Sequence, residues 1–481
     1  MAFDWQHLLG ILVIDIGVIG SAILYILRHP SDPRAMAAWI LTFLFLPILG
    51  VLLYLLIGEP KLRRVRRRRR RRRAKSGVLR EQRKGSLQQP FALPENPVLP
   101  PPLDAFVRLT ARINSEPPTS GNRVEIFQDG AAAFASLLAA VDAACHHIHL
   151  EYYIFSGDQA GRQLMERLTA KARQGVKVRL LLDFIGSLGS LRWAFLELTR
   201  AGGEVAFFLP MIPWRGRWRM NFRNHRKILV IDGVLGYTGS QNVGNEYAGI
   251  GLEGRRWLDT QLRLTGPAVL ELQEIFLEDW HYAGGQDPGA DGCFPPPRVE
   301  GDAIAQIIPS GPDTDAKVLH HLLLAAISVA RRSIHIATPY FVPDAAMLLT
   351  LEAAAYRGVD VRIVVPEQVD HRIVLWAARS HYAELDAAGV KLYEYQEGML
   401  HSKVVVVDSS WGLVGSANMD VRSFRINFEA TVLLYDEPLA AELDAGFADM
   451  MRGSHRVRPP AAWGFLDSLA VGVGRLFSPL L

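Results

Sequence analysis

The chain has 481 residues, of which 49% are hydrophobic and only 21% charged, so it is long enough for more than one domain and richer in apolar residues than an average soluble protein. It has only two cysteines, Cys145 and Cys293, in unrelated contexts, which excludes a disulfide framework and a cysteine-based metal site. The net charge of +4 hides a strong asymmetry, because residues 61–84 carry a net +14 and leave −10 for the remainder.

The N-terminal region, residues 1–60, contains two long apolar runs. Residues 8–27 have Asp15 as their only charge, and residues 35–57 have none. At about 1.5 Å per residue each run is long enough to cross a hydrocarbon core roughly 30 Å thick. We therefore expect a two-helix transmembrane hairpin. A secretory signal peptide is disfavoured because no basic residue precedes the first run, and a buried pair of soluble helices is disfavoured by the lengths.

A basic and proline-rich linker, residues 61–120, follows the second run. It includes eight consecutive arginines from Arg66 to Arg73. Next to a span, such a segment stays on the cytoplasmic side and attracts anionic lipid headgroups. We therefore expect the remainder of the chain on the cytoplasmic side as well. A nucleic-acid-binding tail is the alternative explanation of the arginines.

From residue 121 onward, helical patterns alternate with short β-branched runs, which predicts an α/β fold with a central sheet. The succession occurs twice: Ile148-His149-Leu150 returns as Ile334-His335-Ile336, and Gly175-Val176 returns as Gly358-Val359. This long period indicates a duplicated domain. We place a first half at residues 121–292 and a second at 298–460, separated by three prolines, with an apolar C-terminal segment at 461–481.

Each half contains one copy of the pattern His-x-Lys-x4-Asp followed by Gly-Ser-x-Asn. The first copy is His225, Lys227 and Asp232 with Ser240 and Asn242; the second is His401, Lys403 and Asp408 with Ser416 and Asn418. In both copies the Ser lies 15 and the Asn 17 residues after the His. A matched pair with matched sequels is strong evidence of a shared function.

Each motif opens a run typical of a β-strand, residues 225–231 and 401–407, so the His and Lys of one copy should project from the same face. If the two halves pack about a pseudo-twofold axis, both histidines and both lysines meet in one pocket. Such a set suits phosphodiester chemistry: the lysines, the serine hydroxyls and the asparagine amides hold the phosphate. One imidazole attacks phosphorus while the other protonates the departing alcohol.

Each reacting histidine also needs a carboxylate on its other ring nitrogen. Asp259 and Glu429, each shortly after a Gly-Ser-x-Asn turn, are the candidates, and a solvated carboxylate at a strand edge is the alternative for both. The motif aspartates close their strands and could serve a turn instead. We expect structural roles for His149, His335, His371 and His381. No metal or other cofactor is expected, because no ligand cluster accompanies either motif.

The duplicated motif resembles that of the phospholipase D superfamily, and several stretches resemble bacterial cardiolipin synthases of that superfamily. These stretches are residues 47–50, 54–59, 245–247, 338–343, 401–403, 415–424 and 478–481. The resemblance covers nearly the whole chain. The arginine run and the long proline-rich spacer depart from the family pattern.

The resemblance implies two phospholipase D-like α/β domains related by pseudo-twofold symmetry. It also implies a multi-pass protein of the bacterial cytoplasmic membrane that joins two phosphatidylglycerol molecules into cardiolipin and glycerol. The catalytic residues it implies are His225, Lys227, Asp232, His401, Lys403 and Asp408, with His225 as the nucleophile. A hydrolytic phospholipase D, a phosphatidylserine-forming transferase, a nuclease and a non-enzymatic RNA-binding scaffold remain alternatives, but no nucleic-acid partner is expected.

Overall fold

The structure is a computed structural model. It describes residues 5–29, 33–57, 103–114, 117–187, 192–210, 222–251, 257–285, 292–312, 318–458 and 464–478, together with Glu81, Arg83 and Gly85. The arginine run at 66–73 and most of the predicted linker lie outside the described residues.

The N-terminal region contains three helices: α1 (Trp5–Arg28), α2 (Pro33–Phe45) and α3 (Pro47–Ile57). The second predicted span is therefore divided at Leu46. Pro47 accounts for the break, because proline lacks the N–H group that continues a helix and restricts the residue before it. Among the described residues, no helix combines the length and apolar character needed to cross a membrane. The two predicted spans are thus not found there.

A large mixed sheet forms the centre of the remaining chain. Its strands, in chain order, are β1 (Thr119–Phe127), β2 (His147–Tyr152), β3 (Lys177–Asp183), β4 (Glu204–Phe208), β5 (Ile228–Ile231), β6 (Leu235–Gly239), β8 (Gln261–Thr265), β9 (Ala303–Ser310), β10 (Ser333–Ala337), β12 (Asp360–Pro366), β13 (Lys391–Tyr395), β15 (Val404–Val407), β16 (Trp411–Gly415), β18 (Glu429–Leu434) and β19 (Ser454–Arg456). Four short strands form two separate pairs: β7 (Trp257–Leu258) with β14 (Met399–Leu400), and β11 (Phe341–Val342) with β17 (Met419–Asp420).

The strand order is β19-β13-β12-β10-β15-β16-β18-β9-β1-β8-β6-β5-β2-β3-β4 among the described residues. Strands β2, β3 and β4 are parallel to one another, as are β10, β12 and β13, whereas the strands near the middle pair antiparallel. The two halves of the chain meet where β1 pairs with β9. Strands such as β5 and β15 are buried along their whole length, which explains their unbroken apolar sequences.

The helices of this part of the chain pack against the sheet or against one another. They are α4 (Leu103–Asn114), α5 (Gly130–Ala143), α6 (Gln159–Arg173), α7 (Arg192–Arg200), α8 (Asn245–Ala248), α9 (Ala268–Ala283), α10 (Val318–Val329), α11 (Ala345–Tyr356), α12 (Arg372–Arg379), α13 (Tyr382–Ala388), α14 (Val421–Arg425), α15 (Glu437–Arg452) and α16 (Phe465–Phe477). Aspartate side chains cap α5, α6, α11 and α15, accepting N–H groups of the first turn. The predicted α/β class is confirmed.

Candidate active site

The two motif histidines lie where the halves of the chain meet. His225 donates its backbone N–H to the carbonyl of Phe428 at 2.9 Å, and His401 donates to that of Leu258 at 2.8 Å. Each histidine is thus bound by backbone of the opposite half. This corrects the predicted strand limits, because β5 and β15 begin only three residues after each histidine, at Ile228 and Val404.

The two candidate carboxylates contact the histidines crosswise. Nδ1 of His225 lies 3.0 Å from a carboxylate oxygen of Glu429, and Nδ1 of His401 lies 2.6 Å from Asp259. Each half therefore supplies the carboxylate for the other half's imidazole. Both acids are buried, with 2% exposure for Asp259 and none for Glu429, so neither is a solvated strand-edge residue. The contact occupies Nδ1 and leaves Nε2 of each ring for chemistry.

The protonation states suit this arrangement. Burial alone would raise the pKa of Asp259 and Glu429, but the adjacent histidine and lysine outweigh burial and lower the pKa of both carboxyls. Burial lowers the pKa of His225 and His401 to about 4; the motif lysines add to this shift, and the paired carboxylates oppose it. Both imidazoles are therefore neutral at pH 7 before substrate binds, and either can act as a nucleophile.

Each motif lysine is hydrogen-bonded to the backbone of its own motif histidine. Lys227 donates through Nζ to the carbonyl of His225 at 2.7 Å, and Lys403 donates to that of His401 at 2.6 Å. Burial lowers the pKa of Lys403 to about 8. Burial also lowers the pKa of Lys227, and the charge of Lys403 is the next largest cause. The two ammonium groups are thus close enough to repel each other, and an anion between them relieves that repulsion.

The Gly-Ser-x-Asn serines sit beneath the carboxylates. Ser240 donates its hydroxyl to Asp259 at 2.7 Å, and Ser416 donates to Glu429 at 2.5 Å. Because a hydroxyl has one proton to donate, these serines hold the carboxylate in this arrangement, and the donation from serine to phosphate stays a prediction. The glycine before Ser240 is needed for the approach, since a Cβ on Gly239 would lie 2.4 Å from a backbone oxygen.

The Gly-Ser-x-Asn asparagines, Asn242 and Asn418, are buried immediately after these turns. The side-chain oxygen of Asn242 accepts the backbone N–H of Ile154 at 3.2 Å, which leaves the amide nitrogen as its donor. The backbone N–H of Asn418 donates to Ser423 at 3.1 Å. Phosphate binding by these two amides stays a prediction.

The motif aspartates lie at the opposite end of each strand from the histidines. Asp232 accepts the backbone N–H groups of residues 145–147, and Asp408 those of residues 331–333. Both have a positive φ, 55° and 54°. Each aspartate lies seven positions after its histidine along nearly extended chain, roughly 23 Å away. The structure therefore does not bring Asp232 and Asp408 to the pocket; they anchor the starts of β2 and β10.

The middle residue of each motif was not singled out from the sequence. Arg226 is buried, donates through Nε to the carbonyl of Glu429 at 3.0 Å and pairs with Asp279. Its counterpart Ser402 donates to the carbonyl of Leu258 at 3.0 Å, next to Asp259. Each middle residue thus ties its motif to the segment that carries the other half's carboxylate. In the sequence, the only feature that marks this middle residue is its position between the motif His and Lys.

Aromatic rings form the walls beside the histidines. The ring of Tyr153 lies edge-on to His225 with centroids 4.8 Å apart, and Lys227 Nζ lies 5.5 Å from the Tyr153 ring centre. Tyr247 and Trp257 lie 5.6 and 5.2 Å from the ring of His401. These rings lower the local polarity, which strengthens charge interactions with a bound phosphate.

The other histidines have structural partners. His149 contacts Gln273 and Arg179, and His335 contacts Asp444 at 2.7 Å. His381 binds Glu384, and the exposed His371 lies 3.8 Å from Asp370. Within the described residues, two groups have metal-ligand proximity: His147 with His149 and Cys293, and Glu367 with Glu394 and His455. Neither group includes a motif residue.

The chain is similar in sequence to known proteins over nearly its full length. The family model described as cardiolipin synthase, phospholipase D-like domain, matches residues 137–280 and 323–451, and a phospholipase D-nuclease N-terminal model matches residues 17–59. A cardiolipin synthase of Geobacillus kaustophilus is 40% identical, over 99% of this chain and 95% of that protein. The major cardiolipin synthase ClsA of Bacillus subtilis is 38% identical over 96% of each chain.

Among solved structures, the phosphatidylserine synthase of Haemophilus influenzae has a similar fold. It aligns with a TM-score of 0.59 at 14% identity, covering 78% of this chain and all of that one. At this low identity the match shows a similarity of fold only. The family match covers the motifs and most of the chain, and the curated relatives match over nearly their full lengths. The chain belongs to the cardiolipin synthase family of phospholipase D-like proteins.

Proposed function

We propose that this protein is a phosphatidyltransferase that makes cardiolipin and glycerol from two molecules of phosphatidylglycerol. The observation that carries the proposal is the crossed pairing of His225 with Glu429 and His401 with Asp259 around two buried lysines. This arrangement offers two imidazoles with free Nε2 atoms to one anionic phosphodiester. The sequence similarity to cardiolipin synthases supports the choice of lipid substrate.

In the first step, Nε2 of one histidine attacks phosphorus, and the bond from phosphorus to the glycerol oxygen breaks. The other histidine, protonated, gives its proton to that oxygen, so glycerol leaves as a neutral alcohol. The phosphodiester anion itself favours this proton, since a negative charge next to an imidazole raises its pKa. From the family resemblance we assign attack to His225 and proton transfer to His401. The lysines stabilise the charge on the non-bridging oxygens.

In the second step, the terminal hydroxyl of a second phosphatidylglycerol attacks the phosphohistidine. His401 takes the proton of that hydroxyl, the bond from phosphorus to nitrogen breaks, and His225 is restored. Two displacements retain the configuration at phosphorus. Glu429 and Asp259 keep each Nδ1 protonated and each ring oriented throughout. Asp232 and Asp408 contribute by anchoring strands, and Ser240 and Ser416 by holding the carboxylates.

We further propose that residues 121–292 and 298–460 are two related domains with a pseudo-twofold axis between them. The strand order supports this. Counting outward from the centre of the sheet, the first half runs β1, β8, β6, β5, β2, β3, β4 and the second β9, β18, β16, β15, β10, β12, β13. The strand that follows each motif histidine, β5 or β15, is fourth in both series. Such symmetry explains why each half provides the carboxylate that contacts the other half's histidine.

We propose attachment to the bacterial cytoplasmic membrane, with the catalytic domains on the cytoplasmic side, because the substrates are lipids. Helix α16 supports membrane contact: Phe465, Leu466, Leu469 and Leu476 are each more than half exposed. Exposed apolar rows of this kind suit the interfacial layer of a bilayer. Replacing Leu466 and Leu469 by glutamate should reduce co-flotation with phosphatidylglycerol vesicles. Unchanged flotation would show that α16 does not contribute.

The pKa of Lys403 predicts an alkaline limit to activity. Because burial lowers this pKa to about 8, the ammonium is charged below pH 8 and neutral above it. At saturating substrate the bound phosphodiester keeps His401 protonated. We therefore expect kcat for phosphatidylglycerol to fall as pH rises through about 8, and also to fall as pH drops toward 4, because His225 becomes protonated. A pH–rate profile in detergent micelles measures both limbs. An alkaline limb above pH 10 would contradict a buried, electrostatically active lysine.

Purified protein given phosphatidylglycerol as the only lipid tests the proposed function. Cardiolipin and glycerol in equal amounts are expected by mass spectrometry. Phosphatidic acid as the main product would identify a hydrolytic phospholipase D, in which water replaces the second lipid. No product from phosphatidylglycerol, together with transfer from another phospholipid to serine, would identify a phosphatidylserine-forming enzyme instead.

A further inference from the structure

A tyrosine and an aspartate lie together at the edge of the pocket. The hydroxyl of Tyr340 donates to Oδ1 of Asp370 at 2.6 Å. Tyr340 immediately precedes β11, which pairs with β17, the strand that follows Asn418. The hydroxyl of Thr338 accepts the N–H of Met419 and donates to the carbonyl of Tyr340. The tyrosine is therefore held against the second Gly-Ser-x-Asn turn.

This pair lies near the reacting groups of both halves. The charge of Asp370 contributes to raising the pKa of Tyr247, whose ring lies 5.6 Å from that of His401, and of Tyr153, whose ring lies 4.8 Å from that of His225, although burial is the main cause for both. Burial lowers the pKa of Lys403, and the charge of Asp370 is among those that oppose this shift. The side chain of Asp370 is 43% exposed, so its carboxylate is open to an incoming molecule.

The described residues of the first half have no such pair at the corresponding positions. Phe155 forms a parallel bridge with Val243, just as Phe341 pairs in parallel with Met419, and Val243 and Met419 each follow the asparagine of a Gly-Ser-x-Asn turn. Tyr340 precedes Phe341, so its counterpart in the first half is the residue before Phe155, the apolar Ile154. Asp370 lies four residues after the end of β12, and the residue four positions after the end of β3 is Ser187. The Ser187 hydroxyl accepts the N–H of Phe155 and donates to the carbonyl of Tyr153, the two neighbours of Ile154. Within the part of the chain that the structure describes, the tyrosine–aspartate pair therefore has no counterpart at the equivalent positions of the first half.

The chemistry of both transfer steps calls for recognition at one end. The leaving group of the first step is glycerol, and the attacking group of the second is the glycerol moiety of another phosphatidylglycerol. In each case the reacting oxygen has a hydroxyl on the neighbouring carbon. A carboxylate accepts hydrogen bonds from such a hydroxyl, and a phenol oxygen accepts a second one. One subsite beside the acid–base histidine can therefore serve both steps.

We propose that Asp370 and Tyr340 form a polyol subsite that binds the glycerol hydroxyls next to the reacting oxygen. The subsite rests on the proposed function and adds to it the basis of alcohol selectivity. The carboxylate accepts the hydroxyl on the neighbouring carbon, while Tyr340 holds the carboxylate in place. Simple alcohols, which have no hydroxyl on the neighbouring carbon, gain nothing from this contact.

The experiment measures how the phosphatidyl-enzyme divides between two alcohols. Wild type, Asp370→Asn and Tyr340→Phe are given phosphatidylglycerol micelles with equal concentrations of labelled glycerol and 1-propanol. Labelled phosphatidylglycerol and phosphatidylpropanol are then counted. In D370N a charged hydrogen bond is lost, so the ratio of glycerol to propanol transfer should fall by about 10- to 100-fold. In Y340F a neutral hydrogen bond is lost, so the same ratio should fall by less than about 10-fold. Asp386→Asn, a half-exposed aspartate paired with Arg456, is the matched control.

The propanol product shows that each variant is folded and can form the phosphohistidine. An unchanged ratio in D370N would overturn the subsite, as would a parallel loss of both products, which would place Asp370 in the chemistry itself. The proposed function fails separately: wild type would then transfer to propanol or water and form no cardiolipin from phosphatidylglycerol alone.

Discussion

Replacing either motif histidine by alanine is expected to stop cardiolipin formation. In His225→Ala no phosphohistidine forms, and in His401→Ala the departing glycerol receives no proton. Because residues that act as one catalytic unit are strongly non-additive, each single variant should lose about 10⁴-fold or more, and the double variant little beyond that. Conversion of labelled phosphatidylglycerol to cardiolipin, followed by mass spectrometry, measures the loss.

His335→Ala is the matched control for the histidine variants. His335 also pairs with a carboxylate, Asp444, at 2.7 Å, but it lies in β10 away from the pocket. We expect this variant to keep its turnover, and circular dichroism of all variants checks that they fold. Substantial activity in either motif variant would mean that the two histidines do not work on one phosphorus atom.

Replacing the orienting carboxylates is expected to have the second largest effect, and in a crossed pattern. In Glu429→Gln an amide replaces the carboxylate at Nδ1 of His225, so the ring is free to take the wrong tautomer, at a cost of about 10³-fold or more in kcat. Because the charge of Glu429 raises the pKa of His225, its loss should lower that pKa further. Asp259→Asn should do the same to His401.

The crossing is measured by titrating ring resonances of isotopically labelled histidine. Glu429→Gln should move the titration of His225 and leave His401 nearly unchanged, and Asp259→Asn should do the reverse. The control is Glu394→Gln, a buried glutamate paired with Arg379 far from either motif. If each acid instead affected the histidine of its own half, the arrangement of the two halves described above would be wrong.

Much of the chemistry was predictable from residue type and spacing. Two copies of His-x-Lys with matched sequels indicate a shared phosphoryl site, because no other role explains the duplication. Asp259 and Glu429 were identifiable by their position after the Gly-Ser-x-Asn turns. The limits of β5 and β15 were not, because His225 and His401 bond to backbone about 200 and 140 residues away along the chain. No local pattern encodes such pairing.

The roles of several residues also depended on three-dimensional contacts. Ser240 and Ser416 carry donors suited to phosphate, yet the structure directs their single protons to the carboxylates. Asp232 and Asp408 share the motif with the histidines but lie at the far ends of extended segments. The second apolar run, long enough for one span, is broken at Leu46 because Pro47 cannot continue a helix from the preceding turn.

The amino-acid sequence alone therefore determined the α/β class and the class of reaction, and it predicted the duplication and the reacting side chains. These follow from composition, periodicity and the chemistry of individual residues, which are local properties. Tertiary structure alone decided that each half provides the carboxylate for the other half's histidine, that Arg226 and Ser402 bind those carboxylate-bearing segments, and that Tyr340 meets Asp370. Such partners are set by how distant strands pack, and a linear pattern carries no record of that packing.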